Sequence, residues 1–234
     1  MKAIKVMALF RELRDSIGFV VGRVMIPCDP ARLHAYFAAL PGSDRIASAF
    51  ALEGLAYWLE RRRPERVCDI GAGIGTTTAL IALWSEAEII AVEDHPLCQE
   101  SANLNLRHCR TAGGIIWYDK IPSYMVFEFV VLDGPQVRAE DWGCLAESAV
   151  VFVEGGRRGQ RAVLEAALRA RGRPFCRAQW KPPTTRGKGF HLYLLEPLWW
   201  ERLWFAAVRL REGWRDGWAR RLGMPIGKRR TGHG

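Results

Sequence analysis

An acidic side chain and three glycines at alternate positions stand close together in one short stretch of the chain. Residues 67–70 are Val-Cys-Asp-Ile, and Gly71, Gly73 and Gly75 follow, ahead of three consecutive threonines. The glycines permit a sharp turn that brings main-chain N–H groups close to a ligand. The threonines can cap a helix, whose N-terminal N–H groups also attract polar ligands. The stretch predicts a strand, a glycine turn and a helix start that together hold a nucleotide-like ligand.

The glycine spacing distinguishes two classes of ligand. A dinucleotide-binding turn has the pattern G-x-G-x-x-G, whereas here Thr76 stands at the third glycine position and Gly75 falls one place earlier. Asp69, two places before the first glycine, would also repel a pyrophosphate, because both groups are negative. A ligand that carries a positive charge is favoured instead.

Residues 67–75 resemble the first motif of class I S-adenosylmethionine-dependent methyltransferases, hydrophobic-x-(Asp/Glu)-x-G-x-G-x-G, at every defined position. The resemblance extends over about residues 45–195, and it implies S-adenosylmethionine as the cofactor. It also implies that Asp69 faces the positively charged amino-acid end of the cofactor. The turn beneath the ribose and the methionine portion would then be formed by Gly71, Ala72, Gly73, Gly75 and Thr76.

Acids at the ends of two later segments are further candidates for cofactor contacts. Residues 87–92 predict a buried strand, and Glu93 at its tip is placed to accept two hydrogen bonds from the ribose hydroxyls. Asp94 would flank the adenine. Asp119, after the predicted strand 115–118, resembles the acid that meets the adenine amino group in this fold, although an Asp at a strand end also serves simply to start a turn.

Asp133 is the leading candidate for catalysis. It ends the apolar segment 127–132 and precedes Gly134-Pro135. The string resembles the fourth motif of small-molecule O-methyltransferases, which implies that Asp133 lies near the transferred methyl group of the cofactor. It could orient an acceptor hydroxyl, act as its general base or help to hold a divalent cation, and a simple turn-forming role stays open. The (Asp/Asn)-Pro-Pro-aromatic run of adenine N6-methyltransferases is not present, which argues against that reaction.

Glu154 ends the next predicted strand, residues 149–153, and is a second catalytic candidate. Metal-dependent catechol-type methyltransferases carry Asp-Asn at this strand end and use it, together with the fourth-strand Asp, to hold magnesium. The pair here is Glu-Gly, one ligand short of that pattern, so we expect no metal. His95 and Asp119 remain alternatives as the base.

Three charged residues are candidates for contact with the substrate. Arg157 and Arg158 follow the fifth predicted strand, where they could meet an anionic group or simply be solvated. Glu53 lies on a predicted helix over residues 44–63, in an arrangement similar to that of catechol- and caffeoyl-coenzyme-A-type enzymes; a solvated helix face is the alternative.

The elements that position these residues alternate between strand and helix from residue 67 onward. This order predicts an α/β fold with a Rossmann-like doubly wound sheet, mostly parallel, whose site lies at the carboxyl ends of the strands. A helical segment is predicted up to Ser148. Segments 174–180 and 190–195 predict a closing hairpin, which gives the sheet a C-terminal antiparallel strand.

The composition predicts one globular domain with small additions. The chain has 234 residues, of which 49% are apolar, enough to bury one sizeable core. The six cysteines lie far apart and form no C-x-x-C pair, which indicates neither a disulfide framework nor a zinc site. No apolar run approaches the roughly 18 to 20 residues that span a bilayer, and the N-terminus resembles neither a signal peptide nor an anchor. We therefore expect a cytoplasmic protein.

The net charge of +9 is concentrated at the C-terminal end. Residues 198–234 hold nine Lys or Arg against three Asp or Glu, and five tryptophans fall within residues 199–218. Most arginines lie opposite the apolar arc of the predicted helix 198–222. A homodimer or a peripheral membrane contact through this helix is expected, a helix folded back onto the domain is the alternative, and nucleic acid is the weaker prediction.

Four regions follow from these patterns. They are an N-terminal helical extension that could cover the substrate (1–44), a class I methyltransferase domain (45–196), the basic tryptophan-rich helix (197–222) and a flexible basic tail (223–234).

The predicted function is methyl transfer from S-adenosylmethionine to an oxygen, less strongly a nitrogen, of a small molecule. Two alternatives stay open: RNA methylation that uses the basic C-terminal region, and a non-catalytic module that binds the cofactor or docks on a membrane.

Overall fold

A computed structural model describes five ranges of the chain: residues 29–107, 114–134, 137–155, 157–182 and 189–221. Side chains are described within these ranges up to residue 210. The predicted tail and most of the predicted N-terminal extension lie outside the described residues. The chain divides into two compact units, Met1–Ile121 and Pro122–Gly234.

Two helices among the described residues precede the glycine turn in the first unit. Helix α1 (Pro30–Ala38) is capped by the side chain of Asp29 and has a proline in its first turn, where no hydrogen bond is lost. Helix α2 (Ala49–Arg62) is capped by the hydroxyl of Ser48. It begins later than predicted, because Ser43–Arg45 forms a separate short 3-10 turn.

Three parallel strands and two helices complete the described part of the first unit. The elements in chain order are β1 (Arg66–Ile70), α3 (Thr76–Trp84), β2 (Glu88–Val92), α4 (Pro96–Leu106) and β3 (Ile115–Tyr118). Strand β2 lies between β1 and β3 and pairs with both. Every residue of β1 and β2 after the first is buried, which is why these strands read as apolar runs without alternation.

The described part of the second unit contains four strands, with one helix between the second and the third of them. In chain order they are β4 (Phe127–Leu132), β5 (Leu145–Glu154), α5 (Arg158–Ala170), β6 (Phe175–Trp180) and β7 (Phe190–Leu195). Strands β4 and β5 are parallel, whereas β7 runs antiparallel to both β5 and β6. All six residues of β7 are buried. The predicted closing hairpin is confirmed.

The start of β5 corrects one prediction. The predicted helical segment up to Ser148 is wrong: Glu140–Cys144 forms a short 3-10 turn, and Leu145 already pairs with Phe127 of β4. Glu147 and Ser148 are polar and exposed, so the pattern of apolar residues does not indicate this part of the strand.

The strand order is β3-β2-β1 within the first unit and β4-β5-β7-β6 within the second. Neighbouring strands are parallel in the pairs β1–β2, β2–β3 and β4–β5. They are antiparallel in the pairs β5–β7 and β6–β7. The predicted class, a mostly parallel doubly wound sheet with an antiparallel strand near its C-terminal end, is confirmed.

A last helix, α6 (Trp199–Arg221), follows the sheet. The side chain of Glu201 caps its start by accepting a hydrogen bond from the main-chain N–H of Leu198 at 2.9 Å. None of the described helices combines the length and the apolar character needed to cross a membrane.

Candidate functional site

The three glycines after β1 all adopt left-handed backbone angles. The φ values are +79° at Gly71, +55° at Gly73 and +93° at Gly75, a region that L side chains occupy only with strain. The main-chain N–H of Gly71 donates to the carbonyl of Val92 at 2.8 Å, so the turn is attached to the end of β2. The turn therefore lies where the carboxyl ends of two parallel strands meet.

Two of these glycines are required for different physical reasons. A Cβ on Gly75 would lie 2.9 Å from Cδ1 of Leu106, so glycine is needed there for α4 to pack against the turn. A Cβ on Gly73 would find its nearest described atom, the carbonyl oxygen of Gly71, only at 4.0 Å. The space beside Gly73 is thus open among the described residues, as a cradle for a ligand requires.

Asp69 lies at the end of β1 with its side chain fully buried. One oxygen, Oδ2, accepts hydrogen bonds from the hydroxyls of Thr77 at 2.8 Å and Thr78 at 2.6 Å, at the start of α3. Burial raises the pKa of Asp69 to about 6, although the two threonine hydroxyls act in the opposite direction. The carboxylate therefore faces the first turn of α3 in this structure, and its contact with the amino-acid end of a cofactor stays a prediction.

Thr76 opens α3 and is 3% exposed. Its hydroxyl oxygen is buried and has no hydrogen-bond partner in the part of the chain that the structure describes. A buried hydroxyl without a partner costs free energy, and a polar ligand in the neighbouring turn would remove that cost. The structure thus adds a reason to keep Thr76 in the predicted site.

Glu93 follows β2, and its side chain contacts the glycine turn, whereas its contact with a ribose stays a prediction. Its Oε2 accepts from the main-chain N–H of Gly73 at 2.8 Å, and Oε1 accepts from that of His95 at 3.0 Å. A carboxylate offers about four acceptor positions, so these two bonds leave acceptor capacity on each oxygen. A vicinal diol, such as that of a ribose, could use it.

Gln99 also belongs to this candidate site, although the sequence did not predict it. Its side-chain Nε2 donates to the carbonyl of Glu93 at 2.5 Å and to Oδ1 of Asp119 at 3.2 Å, and so joins the tips of β2 and β3. Both Asp94 and Asp119 are exposed, in positions where a ligand can reach them. A glutamine in the first turns of a helix carries no sequence signal for this contact.

In the second unit, Asp133 follows β4 and has a cationic partner. Nη2 of Arg157 lies 2.6 Å from Oδ1 of Asp133, and only 8% of the Asp133 side chain is exposed. Arg157 also donates to the main-chain carbonyls of Asp133 and Gly134, and the side chain of Gln160 donates to the latter as well. Arg157 thus has a protein carboxylate as an anionic partner, and its contact with an anionic substrate group stays a prediction.

Three predicted residues remain to be placed. Glu154 is 6% exposed at the end of β5, opposite Phe190 of β7. Glu53 on α2 and Arg158 at the start of α5 are exposed. Among the described residues, no group of three or more His, Cys, Asp or Glu is arranged to hold a metal ion.

A buried histidine on β7 is a second feature that the sequence analysis did not identify. His191 is 4% exposed, pairs with Val153 near the end of β5, and has no described partner for Nδ1. Burial lowers the pKa of His191 to about 3, with the positive charges of Arg161 and Arg177 as smaller causes. The imidazole is therefore neutral in the folded protein at physiological pH.

Comparisons with solved structures identify the fold. The O-methyltransferase TomG from Streptomyces achromogenes, in complex with SAM, has a TM-score of 0.51 and 20% identity over 72% of this chain and 88% of that one. The O-methyltransferase from Bacillus cereus, in complex with SAH, has a TM-score of 0.56 and 14% identity over 79% and 99%. The SAH-bound Podospora anserina methyltransferase PaMTH1 has a TM-score of 0.50 and 11% identity over 82% and 96%.

No protein-family model matches the chain, and no curated protein sequence matches it. At these identities, the structural likeness establishes the fold alone, a Rossmann-like α/β fold that the chain shares with these methyltransferases.

Proposed function

We propose, from this fold and from the geometry of the glycine turn, that the protein is a methyltransferase that moves the methyl group of S-adenosylmethionine to an oxygen of a small molecule. One observation carries the proposal. The carboxylate of Glu93 accepts a hydrogen bond from the N–H of Gly73 and keeps acceptor capacity for a sugar diol; a Cβ on Gly73 would have no described atom closer than 4.0 Å.

The residues of the first unit suit each part of such a cofactor. Glu93 would hold the ribose hydroxyls, and Gly73 leaves the space for the ligand to approach the backbone. The buried hydroxyl of Thr76 would gain a polar partner. The exposed acids Asp94 and Asp119 would meet the adenine, and Gln99 fixes the second of them.

The cofactor, when bound, supplies a sulfonium that is already an activated methyl donor. The chemistry left to the protein is to align an acceptor oxygen with the methyl carbon and to take the proton that the acceptor hydroxyl loses. Transfer would form the O–CH3 bond and break the S–CH3 bond of the cofactor.

Asp133 is the residue of the second unit that we assign to the acceptor. Its carboxylate is fixed by Arg157, and a carboxylate held in one position can orient a hydroxyl and receive its proton. Arg157 is then a positioning residue for Asp133. Glu154 and His95 are the alternative acids or bases. The choice of oxygen over nitrogen is supported by the names of the similar structures, two of which are called O-methyltransferases.

The test is transfer of a labelled methyl group from S-adenosylmethionine to matched acceptors. A panel would pair small phenols and diphenols with aromatic amines of the same skeleton, and it would include total RNA. The proposal predicts a labelled methyl ether and loss of the label in Glu93→Ala. Label on the amines or on RNA, or no transfer to any hydroxyl by protein that binds the cofactor, would contradict it.

A further inference from the structure

One face of helix α6 packs against the rest of the second unit. Phe205 is 2% exposed and Glu201 is 7% exposed. The ring of Phe205 meets the ring of Trp180 on β6 edge to face, with 6.1 Å between the centroids. Trp204 lies beside the same ring at 6.0 Å. The helix is therefore attached to the sheet through a defined aromatic contact.

The opposite face of α6 is apolar and exposed. Because an α-helix turns by about 100° per residue, Trp199, Leu203 and Leu210 lie about 120° to 160° around the axis from Phe205. Their exposed fractions are 74%, 63% and 68%. Trp200 extends the same face and is 41% exposed. We call these four residues the apolar face of α6; Trp199, Leu203 and Leu210 are its most exposed members.

The positive charge on and after α6 indicates which kind of partner would cover the apolar face of α6. Residues 198–234 hold nine Lys or Arg against three Asp or Glu, and Arg202 and Arg209 are exposed on α6 itself. A second copy of the chain would bring the same positive charges against each other, which opposes association. An anionic lipid surface attracts them, at about 1 kcal/mol for each basic residue near the surface.

The residue types of the apolar face agree with a lipid surface. Tryptophan prefers the boundary between headgroups and acyl chains, because its ring is largely apolar and its N–H still finds a polar partner. A basic helix with Trp and Leu on one side lies in the plane of that boundary, with its apolar side inserted.

We propose that α6 docks this protein on anionic lipid surfaces, with Trp199, Trp200, Leu203 and Leu210 inserted at the headgroup boundary. The attachment of α6 through Phe205 keeps this face directed away from β6. The inference is independent of methyl transfer, since it uses neither the glycine turn nor Asp133.

Co-sedimentation of the full-length protein with vesicles tests this docking. The vesicles contain phosphatidylcholine alone or phosphatidylcholine with phosphatidylserine. We expect pelleting with the anionic vesicles, weaker pelleting with the neutral ones, and loss of binding as salt is raised, because salt screens the charge attraction. The double variant Trp199→Ser and Leu203→Ser should lower the partition coefficient about tenfold or more.

The matched control replaces two leucines that are equally exposed on α4. Leu97 and Leu104 are 67% and 58% exposed, and the double variant Leu97→Ser and Leu104→Ser should pellet like the wild type. All the replaced side chains are exposed, so both variants should fold, which circular dichroism would verify. The proposal is overturned if the protein does not pellet, if both double variants pellet alike, or if neutral vesicles bind as strongly. It is also overturned if light scattering shows that the wild type is a dimer and that the double variant Trp199→Ser and Leu203→Ser is a monomer.

Discussion

The guanidinium of Arg157 contacts the carboxylate of Asp133, with Nη2 2.6 Å from Oδ1. The sequence suggested these two residues for separate roles, one against the acceptor hydroxyl and one against an anionic substrate group. The structure makes them a pair, and Arg157 also holds the main chain at the end of β4 through the carbonyls of Asp133 and Gly134. The position of the predicted base therefore depends on the arginine.

A double-mutant cycle measures this dependence. The replacements Asp133→Ala and Arg157→Ala, alone and together, should show a coupling of about 1–3 kcal/mol in the free energy of unfolding, because the pair is largely screened from water. Urea denaturation of the four proteins gives the value. The exposed pair Arg138 and Glu140, 3.8 Å apart, is the matched control and should show about 0–1 kcal/mol. Additive effects at Asp133 and Arg157 would contradict the assignment.

Glu93 and Glu88 lie at opposite ends of β2 and make a second matched comparison. Glu93→Ala removes the carboxylate beside Gly73, so the affinity for S-adenosylhomocysteine should fall about 10- to 100-fold. Glu88 instead pairs with Arg66 at the other end of the strand. Glu88→Ala should leave the affinity unchanged. Equal losses in the two variants, measured by equilibrium dialysis, would mean that Glu93 acts only through the stability of the strand.

Two threonines at the start of α3 are expected to serve different purposes, Thr78 protein stability and Thr76 ligand binding. Thr78→Val deletes a donor to the buried carboxylate of Asp69 and should cost about 1–3 kcal/mol of unfolding free energy. Thr76→Val deletes a hydroxyl that has no described partner, so the protein's stability should change by less than about 0.5 kcal/mol. The same variant should weaken cofactor binding about fivefold. Thermal unfolding with and without the ligand distinguishes the loss of stability from the loss of binding. Similar destabilisation of the protein by Thr76→Val and Thr78→Val would contradict this prediction.

His191 predicts a pH dependence of stability. The pKa of a histidine is about 6.5 in the unfolded chain, whereas burial lowers the pKa of His191 to about 3 in the folded protein. Below pH 6.5 the unfolded state takes up a proton that the folded state does not, so this contribution to stability is lost as the pH falls from about 6.5 toward 3.

The variant His191→Gln lacks this contribution to the pH dependence. The unfolding free energy of the wild type relative to His191→Gln should therefore shrink between about pH 6 and pH 4, by on the order of 1 kcal/mol per pH unit. Urea denaturation at each pH gives both values. A difference that stays constant over this range would show that the folded protein protonates His191 as readily as the unfolded chain does.

Those parts of the site that depend on adjacent residues could be predicted from the sequence. The turn from Gly71 to Gly75 is a local pattern, and the tip of β2 carries Glu93 because a buried apolar strand ends there. Both are fixed by side-chain size and backbone angle within a few residues. The order of strands and helices follows in the same way from where each apolar run begins and ends.

The parts that join distant residues could not be predicted. Arg157 meets Asp133 across 24 positions, and Gln99 meets Asp119 across 20. Nothing in either local sequence distinguishes these side chains from solvated ones. The start of β5 was missed for a related reason: Glu147 and Ser148 are exposed polar residues within a paired strand.

The space beside Gly73 is the feature on which the cofactor assignment depends most. Gly73 has a φ of +55° and no described atom closer than 4.0 Å to the position of a Cβ. Gly172 has a similar φ of +63°, with no described atom within 4 Å, but it lies in the turn between α5 and β6. Alanine at either position carries the same backbone strain, of about 1–2 kcal/mol. Only the alanine at Gly73 would occupy the proposed ligand space.

Isothermal titration with S-adenosylhomocysteine, on the wild type and on these two variants, is therefore the most direct test. The wild type should bind in the micromolar range. Gly73→Ala should bind at least about tenfold more weakly, and Gly172→Ala should bind like the wild type despite the same strain. A wild type that does not bind, or a Gly73→Ala variant that binds as tightly as the wild type, would contradict a cofactor site at the glycine turn.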